Sequence, residues 1–304
     1  VPGGIGLTAW LQRAYDRSPA MTRAFADTFS SADGARNDRE GATAIVVSEE
    51  AGVYSPEMEW LAGQIRGEWP VVSPENLAFK DGGVFVGGAR VGLIYRFFEL
   101  FDLPNIANSD RLLEAALRGE IRITAPVKPW LEEKMLLALF WHDSLEAFWK
   151  GALGEEDFAT LHRVIPQTWL VEPSALDWQL LKFASQKKRR YVLKLSGFSE
   201  LAWGGRSLRI GHDLSTEDWA KAIDHALESL PNAPYVLQPF EKGRRVHIDW
   251  FDFEKQELVP MDGRVRLCPF YFGKNADLSG ILATICPPDK KVIHGMRDAV
   301  MTLA

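Results

Sequence analysis

The sequence predicts a mixed fold in which an α/β half precedes an antiparallel-rich α+β half. In the first half, the buried-strand pattern TAIVVS, the helical pattern SPEMEWLAGQI and the extended run WPVVSPENLAF follow one another, as in a βαβ unit of a parallel sheet. From Tyr191 onward the pattern changes to short strands such as YVLKLS, YVLQPF and RVRLCPFYF. The length of 304 residues favours about two domains over one.

Composition and charge narrow the class of function. With 46% hydrophobic and 25% charged residues the chain is typical of a folded globular protein, and its formal net charge of -6 argues against a broad basic surface for nucleic acid. The two cysteines, Cys268 and Cys286, are too few for a disulfide framework or a CxxC metal site. No apolar stretch approaches the roughly 20 residues of a membrane span, and no signal peptide pattern opens the chain. We therefore predict a cytoplasmic protein without nucleic-acid or membrane partners, and expect it to continue beyond both ends of this sequence.

Glycine, proline and apolar spacing predict the elements of the first half. Helical spacing in LTAWLQRAYDR and PAMTRAFADTF predicts two helices, and the polar stretch SSADGARNDREG after them predicts a loop. Ser55 and Pro56 stand in the order of an N-cap and a first helical residue. Gly87 and Gly88 separate two short strands and predict a hairpin.

An arginine lies near the end of the second strand of this hairpin. Arg96 comes directly after the apolar run VGLIY and has two interpretations. It is either a surface arginine at a strand terminus or a contact for a carboxylate or phosphate at the open end of an α/β sheet, where ligands commonly bind. Both interpretations stay open, and Arg96 is our candidate substrate-binding residue.

Helices are predicted through the middle of the chain and strands after it. The run PWLEEKMLLALFWHDSLEAFW predicts one long helix that contains Lys134. The basic run KKRR before Tyr191 is expected to be a solvated turn, and Asp262 a turn residue. Further helices are predicted at SDRLLEAALRGE, EEDFATLHR, DWQLLKFASQ, STEDWAKAIDHALESL and from Asp289, and further strands at IRITAP, HRVIPQTWLV, SLRIG, VHIDWFDF and ELVPM.

A glycine-rich hairpin, YVLKLSGFSELAWGGRSLRIG, has the composition of a phosphate-binding loop. Lys194 ends its first strand, and Gly197, Gly204 and Gly205 lie in the loop. A lysine there can neutralise phosphate charge, while the backbone N–H groups of the loop wrap the same phosphates. The alternative is a flexible turn beside a solvent-facing lysine, and the P-loop pattern GxxxxGK[ST] is absent. About one helix later, YVLQPF turns at Pro239, where backbone groups can present an N–H and a C=O to an adenine edge.

These separated segments resemble the ATP-grasp superfamily, and within it the circularly permuted branch that is similar to glutathionylspermidine synthase. KPWLEEKMLLALFW resembles the segment with the first ATP-binding lysine, although Glu133 stands where the family usually has Asn. The glycine-rich hairpin is similar to the second lysine and phosphate loop, YVLQPF to the adenine-binding linker, and DGGVFVGGARVGLIYRFFEL to the substrate-domain hairpin. The resemblance implies cofactor-binding roles for Lys134, Lys194, Gly197, Phe198, Ser199, Gly204, Gly205, Gln238, Pro239 and Phe240.

The resemblance also implies an ATP-dependent ligase that requires Mg²⁺. ATP would phosphorylate a carboxylate, and the amine of a second small-molecule or peptide substrate would displace the phosphate to form an amide. VPGGIGLTAW is similar to the segment after the Glu-x-Asn metal motif of this branch, so the metal ligands are expected just before Val1. Arg264 and Arg266, two apart on a strand, share a face and are candidate catalytic residues for an acyl phosphate or the γ-phosphate; the alternative is a basic stripe on an exposed sheet.

Two alternatives to a ligase remain open. Since Glu133 departs from the family pattern and the metal motif is not in this sequence, the protein could be a non-catalytic nucleotide-binding protein of the same fold. It could also be a small-molecule binding protein built on the βαβ half. The implied domains are the N-terminal helices with a pre-ATP-grasp substrate domain over residues 1–105, and an ATP-grasp domain over residues 106–304 with subdomains at about 120–235 and about 236–304. The oligomeric state does not follow from the sequence.

Overall fold

The computed structural model describes residues 19–30, 41–65, 69–197, 199–202, 205–273, 275–293 and 298–303. The chain forms two compact units, of which the first joins residues 1–127 with residues 242–304 and the second spans residues 128–241. The predicted boundary after residue 105 falls inside the first unit, because the strand Arg122–Thr124 pairs within the sheet of that unit. The predicted helix LTAWLQRAYDR, most of the loop SSADGARNDREG, and the candidate residues Phe198 and Gly204 lie outside the described residues.

The first unit contains a mixed sheet that confirms the predicted βαβ unit. β1 pairs in parallel with β2 and β5, β5 pairs in parallel with β6, and the β3–β4–β5 segment is antiparallel. The helix between β1 and β2 begins at Ser55, so Tyr54 rather than the predicted Ser55 is its N-cap. The helices are α1 (Pro19–Ser30), α2 (Ser55–Gln64) and α3 (Ser109–Leu117); the strands are β1 (Ala42–Val47), β2 (Val71–Val72), β3 (Ala78–Lys80), β4 (Gly83–Val86), β5 (Ala89–Phe97) and β6 (Arg122–Thr124).

Both faces of this sheet are buried, as expected for parallel strands. Along β1, Ala44 and Val46 belong to one apolar cluster, while Ile45 and Val47 belong to another. Alternate residues of a strand point to opposite faces, so the continuous apolar run TAIVV supplies both clusters. The predicted hairpin is confirmed, because Gly87 and Gly88 adopt positive φ angles of 56° and 87° between β4 and β5.

The second unit is built on an antiparallel sheet with the strand order β7-β10-β8-β9. One face of this sheet packs on α7 and α8 through a cluster that includes Leu193, Leu237, Trp219 and Ile223. Its strands are β7 (Trp169–Leu170), β8 (Tyr191–Leu195), β9 (Arg209–Ile210) and β10 (Tyr235–Pro239); its helices are α4 (Met135–Phe140), α5 (Glu146–Leu153), α6 (Glu155–Val164), α7 (Trp178–Lys182) and α8 (Thr216–Ser229).

The prediction of one long helix from Pro129 to Trp149 is wrong. A 3-10 turn at Pro129–Leu131 precedes α4, and a second 3-10 turn at Asp143–Leu145 separates α4 from α5. His142 has an extended backbone with ψ of 121°, and its Nδ1 accepts a hydrogen bond from the Ser144 N–H, so it caps the second turn instead of continuing the helix. As a result Lys134 lies at the start of α4 rather than in a helix interior.

The basic run KKRR is a turn, but one of its residues is a buried anchor. Lys187, Lys188 and Arg190 are exposed as predicted, whereas Arg189 is only 2% exposed. Its guanidinium donates to the carbonyls of Gly211 and Leu214 and to the Thr216 hydroxyl. The prediction of a solvated side chain is therefore wrong at Arg189, which ties the segment before β8 to the start of α8.

The second sheet of the first unit is antiparallel, in the order β11-β12-β13-β14. Its long strand merges the predicted strands ELVPM and RVRLCPFYF, so Asp262 is a mid-strand residue opposite His247 and not a turn residue. The predicted helix from Asp289 is wrong among the described residues, because 289–293 are irregular and residues 300–303 pair with β13. The strands are β11 (Arg245–Asp252), β12 (Glu257–Phe272), β13 (Asp277–Cys286) and β14 (Val300–Leu303).

Together these elements confirm the mixed fold class, with parallel pairing in the first half and antiparallel pairing in the second. The helix α1 packs on the second sheet of its unit, where the Phe25 and Phe272 rings lie 5.2 Å apart. No helix in the described part of the chain combines the length and the apolar character needed to cross a membrane.

Candidate anion-binding site

A row of polar side chains lies on one face of the sheet in the second unit. Lys194 on β8 is opposite Val236 on β10, and Gln238 is two residues farther along β10, so both side chains share a face. The β7–β10 register pairs Val236 with Leu170, and continuing it by two residues brings Thr168 opposite Gln238. This face is the one opposite the apolar cluster that packs on α7 and α8.

A chain of hydrogen bonds connects these three side chains. Lys194 Nζ donates to Gln238 Oε1 at 2.6 Å, and Gln238 Nε2 donates to Thr168 Oγ1 at 2.8 Å. The Thr168 hydroxyl donates in turn to the Pro166 carbonyl at 2.9 Å. Gln238 and Thr168 are 5% and 1% exposed, so the chain anchors the lysine in the protein interior.

The ammonium group of Lys194 is electrostatically unfavourable in this setting. Burial lowers its pKa, and the positive charge of Lys134 lowers it further. Across the described ranges no carboxylate pairs with Lys194, whose hydrogen-bond partner is the neutral amide of Gln238. An anion bound here would therefore relieve an unfavourable charge that the described part of the chain leaves uncompensated.

Lys134 is held near this lysine by a second set of contacts. Its Nζ donates to the Ala202 carbonyl at 3.1 Å. Ser196, which is 2% exposed and comes directly after β8, accepts from the Met135 N–H at 2.6 Å and donates to Glu133 Oε2 at 2.7 Å. These bonds attach the segment around Lys134 to the end of β8, although the two segments are far apart in sequence.

The glycine-rich loop has internal structure in its described residues. A 3-10 turn spans Glu200–Ala202, and the Ser199 hydroxyl and carbonyl accept from the N–H groups of Leu201 and Ala202. Gly205 has a φ of 74°, a region that favours glycine. Gly197 has no such requirement, because an added Cβ would lie 3.5 Å from Pro234 Cδ, an ordinary contact.

In the predicted adenine linker, the N–H group of Phe240 already donates a hydrogen bond within the protein. The Phe240 N–H donates to the Arg190 carbonyl at 2.9 Å, and Pro239 has no N–H. The Phe240 ring lies 5.0 Å from the His212 ring. Any base edge here would have to use the carbonyl groups of the linker or displace the bond to Arg190.

The three candidate arginines belong to the first unit and bond to its backbone. Arg96 is buried, so the interpretation as a surface arginine is wrong; its guanidinium donates to the carbonyls of Ala125 and Phe98, beyond the ends of β6 and β5. Arg264 and Arg266 share a face of β12, as predicted. Arg264 donates to the carbonyls of Gly243 and Pro288, and the more exposed Arg266 to that of Ile293.

Neither a group of metal ligands among the described residues nor a comparison with known proteins assigns a function to this site. Within the described ranges, no group of three or more His, Cys, Asp or Glu side chains is placed to hold a metal ion. No protein-family model matches the chain, and no curated protein matches it significantly. Lys194 lies on one face of an antiparallel sheet, and the positive charge of Lys134, from a separate segment, acts on it; such a pair of charges is suited to a polyanion.

Sequence patterns did not single out two residues that build this site. Ser196 is two residues after Lys194, so period-two alternation puts it on the same face and could have identified it. Thr168 gave no local signal, because its proximity to Gln238 depends on the pairing of β7 with β10.

Proposed function

We propose that the protein is an ATP-dependent carboxylate–amine ligase of the ATP-grasp type, with the polyphosphate of ATP bound at Lys134 and Lys194. The observation that carries this proposal is the partly buried Lys194 ammonium, which has the charge of Lys134 beside it and an amide rather than a carboxylate as its partner. A phosphate chain supplies the missing negative charge. The order of lysine segment, glycine loop and YVLQPF linker adds the resemblance to ATP-grasp enzymes.

The chemistry needs positioning and charge neutralisation more than a side-chain nucleophile. A substrate carboxylate oxygen attacks the γ-phosphorus, the bond to ADP breaks, and an acyl phosphate forms. The amine nitrogen then attacks the acyl carbon, phosphate leaves, and the amine loses a proton. Lys134 and Lys194 would hold the nucleotide. Mg²⁺ would supply further charge neutralisation.

Nucleotide binding is tested first, by calorimetric titration of Mg-ATP into the wild-type protein, Lys194→Gln and Lys187→Gln. Lys187 is exposed in the KKRR turn and serves as the matched control for removing one lysine charge. We expect Lys194→Gln to weaken binding at least tenfold and Lys187→Gln to leave it within twofold. Equal affinity in all three proteins would contradict the site.

Catalysis is tested separately, by ADP release with a panel of carboxylates and amines and by trapping acyl phosphate as a hydroxamate with hydroxylamine. ATP binding without ADP or hydroxamate would favour the non-catalytic nucleotide-binding protein. Absence of ATP binding would leave the small-molecule binding protein as the remaining candidate.

A further inference from the structure

We propose that Thr168 is a positioning residue that orients Lys194 through the side chain of Gln238. The functional part of this inference rests on the proposed nucleotide site, whereas the orientation itself is a property of the unliganded protein. Neither Thr168 nor a role for the Gln238 side chain toward the lysine was indicated by the sequence.

The polarity of the hydrogen bonds makes Thr168 the residue that fixes Gln238. Its hydroxyl proton goes to the Pro166 carbonyl, so the Thr168 oxygen is left to accept. The only end of the Gln238 amide that can donate to it is Nε2, which turns Oε1 toward Lys194. Without this acceptor the amide could rotate and present its N–H groups to the ammonium, which would be repulsive.

The direction of these hydrogen bonds also leaves N–H groups of Lys194 that can donate to a ligand. An ammonium group has three N–H donors, and one of them is used on Gln238. In each hydrogen bond from Lys194 through Gln238 and Thr168 to Pro166, the donor is the residue nearer to Lys194. The lysine is therefore held from the buried side. Among the described residues the two other donors have no partner, so they can serve an anion in a direction that Gln238 and Thr168 determine.

The first test uses the protein without nucleotide. Competitive labelling with acetic anhydride across pH, with mass spectrometry of the peptide that contains Lys194, gives the titration of that amine. We expect Thr168→Val to lower the pKa of Lys194 further, because the ammonium loses an oriented acceptor, and Thr168→Ser to retain the wild-type titration. Thr160→Val is the matched control, since the exposed Thr160 hydroxyl accepts from Arg163 and lies outside the hydrogen-bond chain of Lys194. An unchanged Lys194 titration in folded Thr168→Val overturns the inference.

The second test is Mg-ATP affinity for the same variants, with folding checked by urea unfolding. We expect Thr168→Val to bind about tenfold more weakly, and Thr168→Ser and Thr160→Val to stay within twofold. If the wild-type protein does not bind ATP, the proposed function fails while the labelling still decides the orientation. If ATP binds equally to wild-type and Thr168→Val, the positioning role is overturned and the nucleotide site stands.

Discussion

The Ser196 hydroxyl donates to Glu133 Oε2 at 2.7 Å, directly beside Lys134. Glu133 occupies the position where the family that the chain resembles usually has Asn. Glu133 accepts a hydrogen bond here, and the amide oxygen of an Asn can accept one in the same way. The departure from the family pattern therefore preserves this contact, and Ser196 becomes the residue that connects the two lysine segments.

Replacing Ser196 by Ala should destabilise the protein and weaken its ligand site. The partly buried Met135 N–H would lose its acceptor, and an unsatisfied buried group costs about 1–3 kcal/mol. We expect a fall of that size in the free energy of unfolding by urea and weaker binding of Mg-ATP. Ser199→Ala is the control, because that hydroxyl accepts from the exposed Leu201 N–H and its loss should change stability by less than about 0.5 kcal/mol. Equal losses of unfolding free energy in the two variants would contradict the anchoring role.

The lowered pKa of Lys194 predicts a specific pH dependence of stability. In the folded protein this pKa is below the value of about 10.4 expected for an unfolded lysine. Between the folded and unfolded pKa values of Lys194 the unfolded chain binds more protons, so the free energy of unfolding increases as pH rises through that window. Below the window the folded protein carries the whole electrostatic penalty of the Lys194 ammonium.

The measurement compares urea unfolding of the wild-type protein and Lys194→Met from pH 7 to about pH 10.5. The stability of wild type relative to the variant should increase toward high pH. Lys187→Met, which removes an exposed lysine, is the control and should show no comparable trend. A constant difference between wild type and Lys194→Met would show that burial of this ammonium is not destabilising.

Two glycines of the same loop should respond differently to alanine. Gly205 has a φ of 74°, so Gly205→Ala introduces backbone strain that we expect to cost about 1 kcal/mol. Gly197→Ala should have a smaller effect, since its Cβ has room. Thermal unfolding of both variants checks this, and limited proteolysis with and without Mg-ATP reports whether nucleotide protects the loop. Cleavage at equal rates in both conditions would count against its role as a phosphate-binding loop.

The parts of the fold that were predicted from sequence are those with local causes. The β1–α2–β2 unit follows from apolar patterning, and the hairpin at Gly87 and Gly88 from residues that tolerate positive φ. The start of α8 follows from Ser215, whose hydroxyl accepts from the Asp218 N–H. Each of these signals lies within a few residues of the structure that it specifies.

The parts that sequence patterns did not predict depend on distant partners. β12 is continuous because β11 pairs with one half of it and β13 with the other, which no local pattern reveals. Arg189 is buried because its acceptors lie more than twenty residues later in the chain. For the site, the lysines and glycines were identified by residue type, whereas Thr168 emerged only from the pairing of strands.

The division of the chain has a consequence for the order of folding during synthesis. The second unit is one continuous segment between the two parts of the first, so its whole sequence is synthesised before residues 242–304 are made. At about 5–20 residues per second, residues 128–241 take roughly 6 to 23 s to translate. During that interval Phe25 has no Phe272 to pack on. Completion of the first unit is therefore a late event, and a chaperone that shields α1 on the nascent chain would act in that interval.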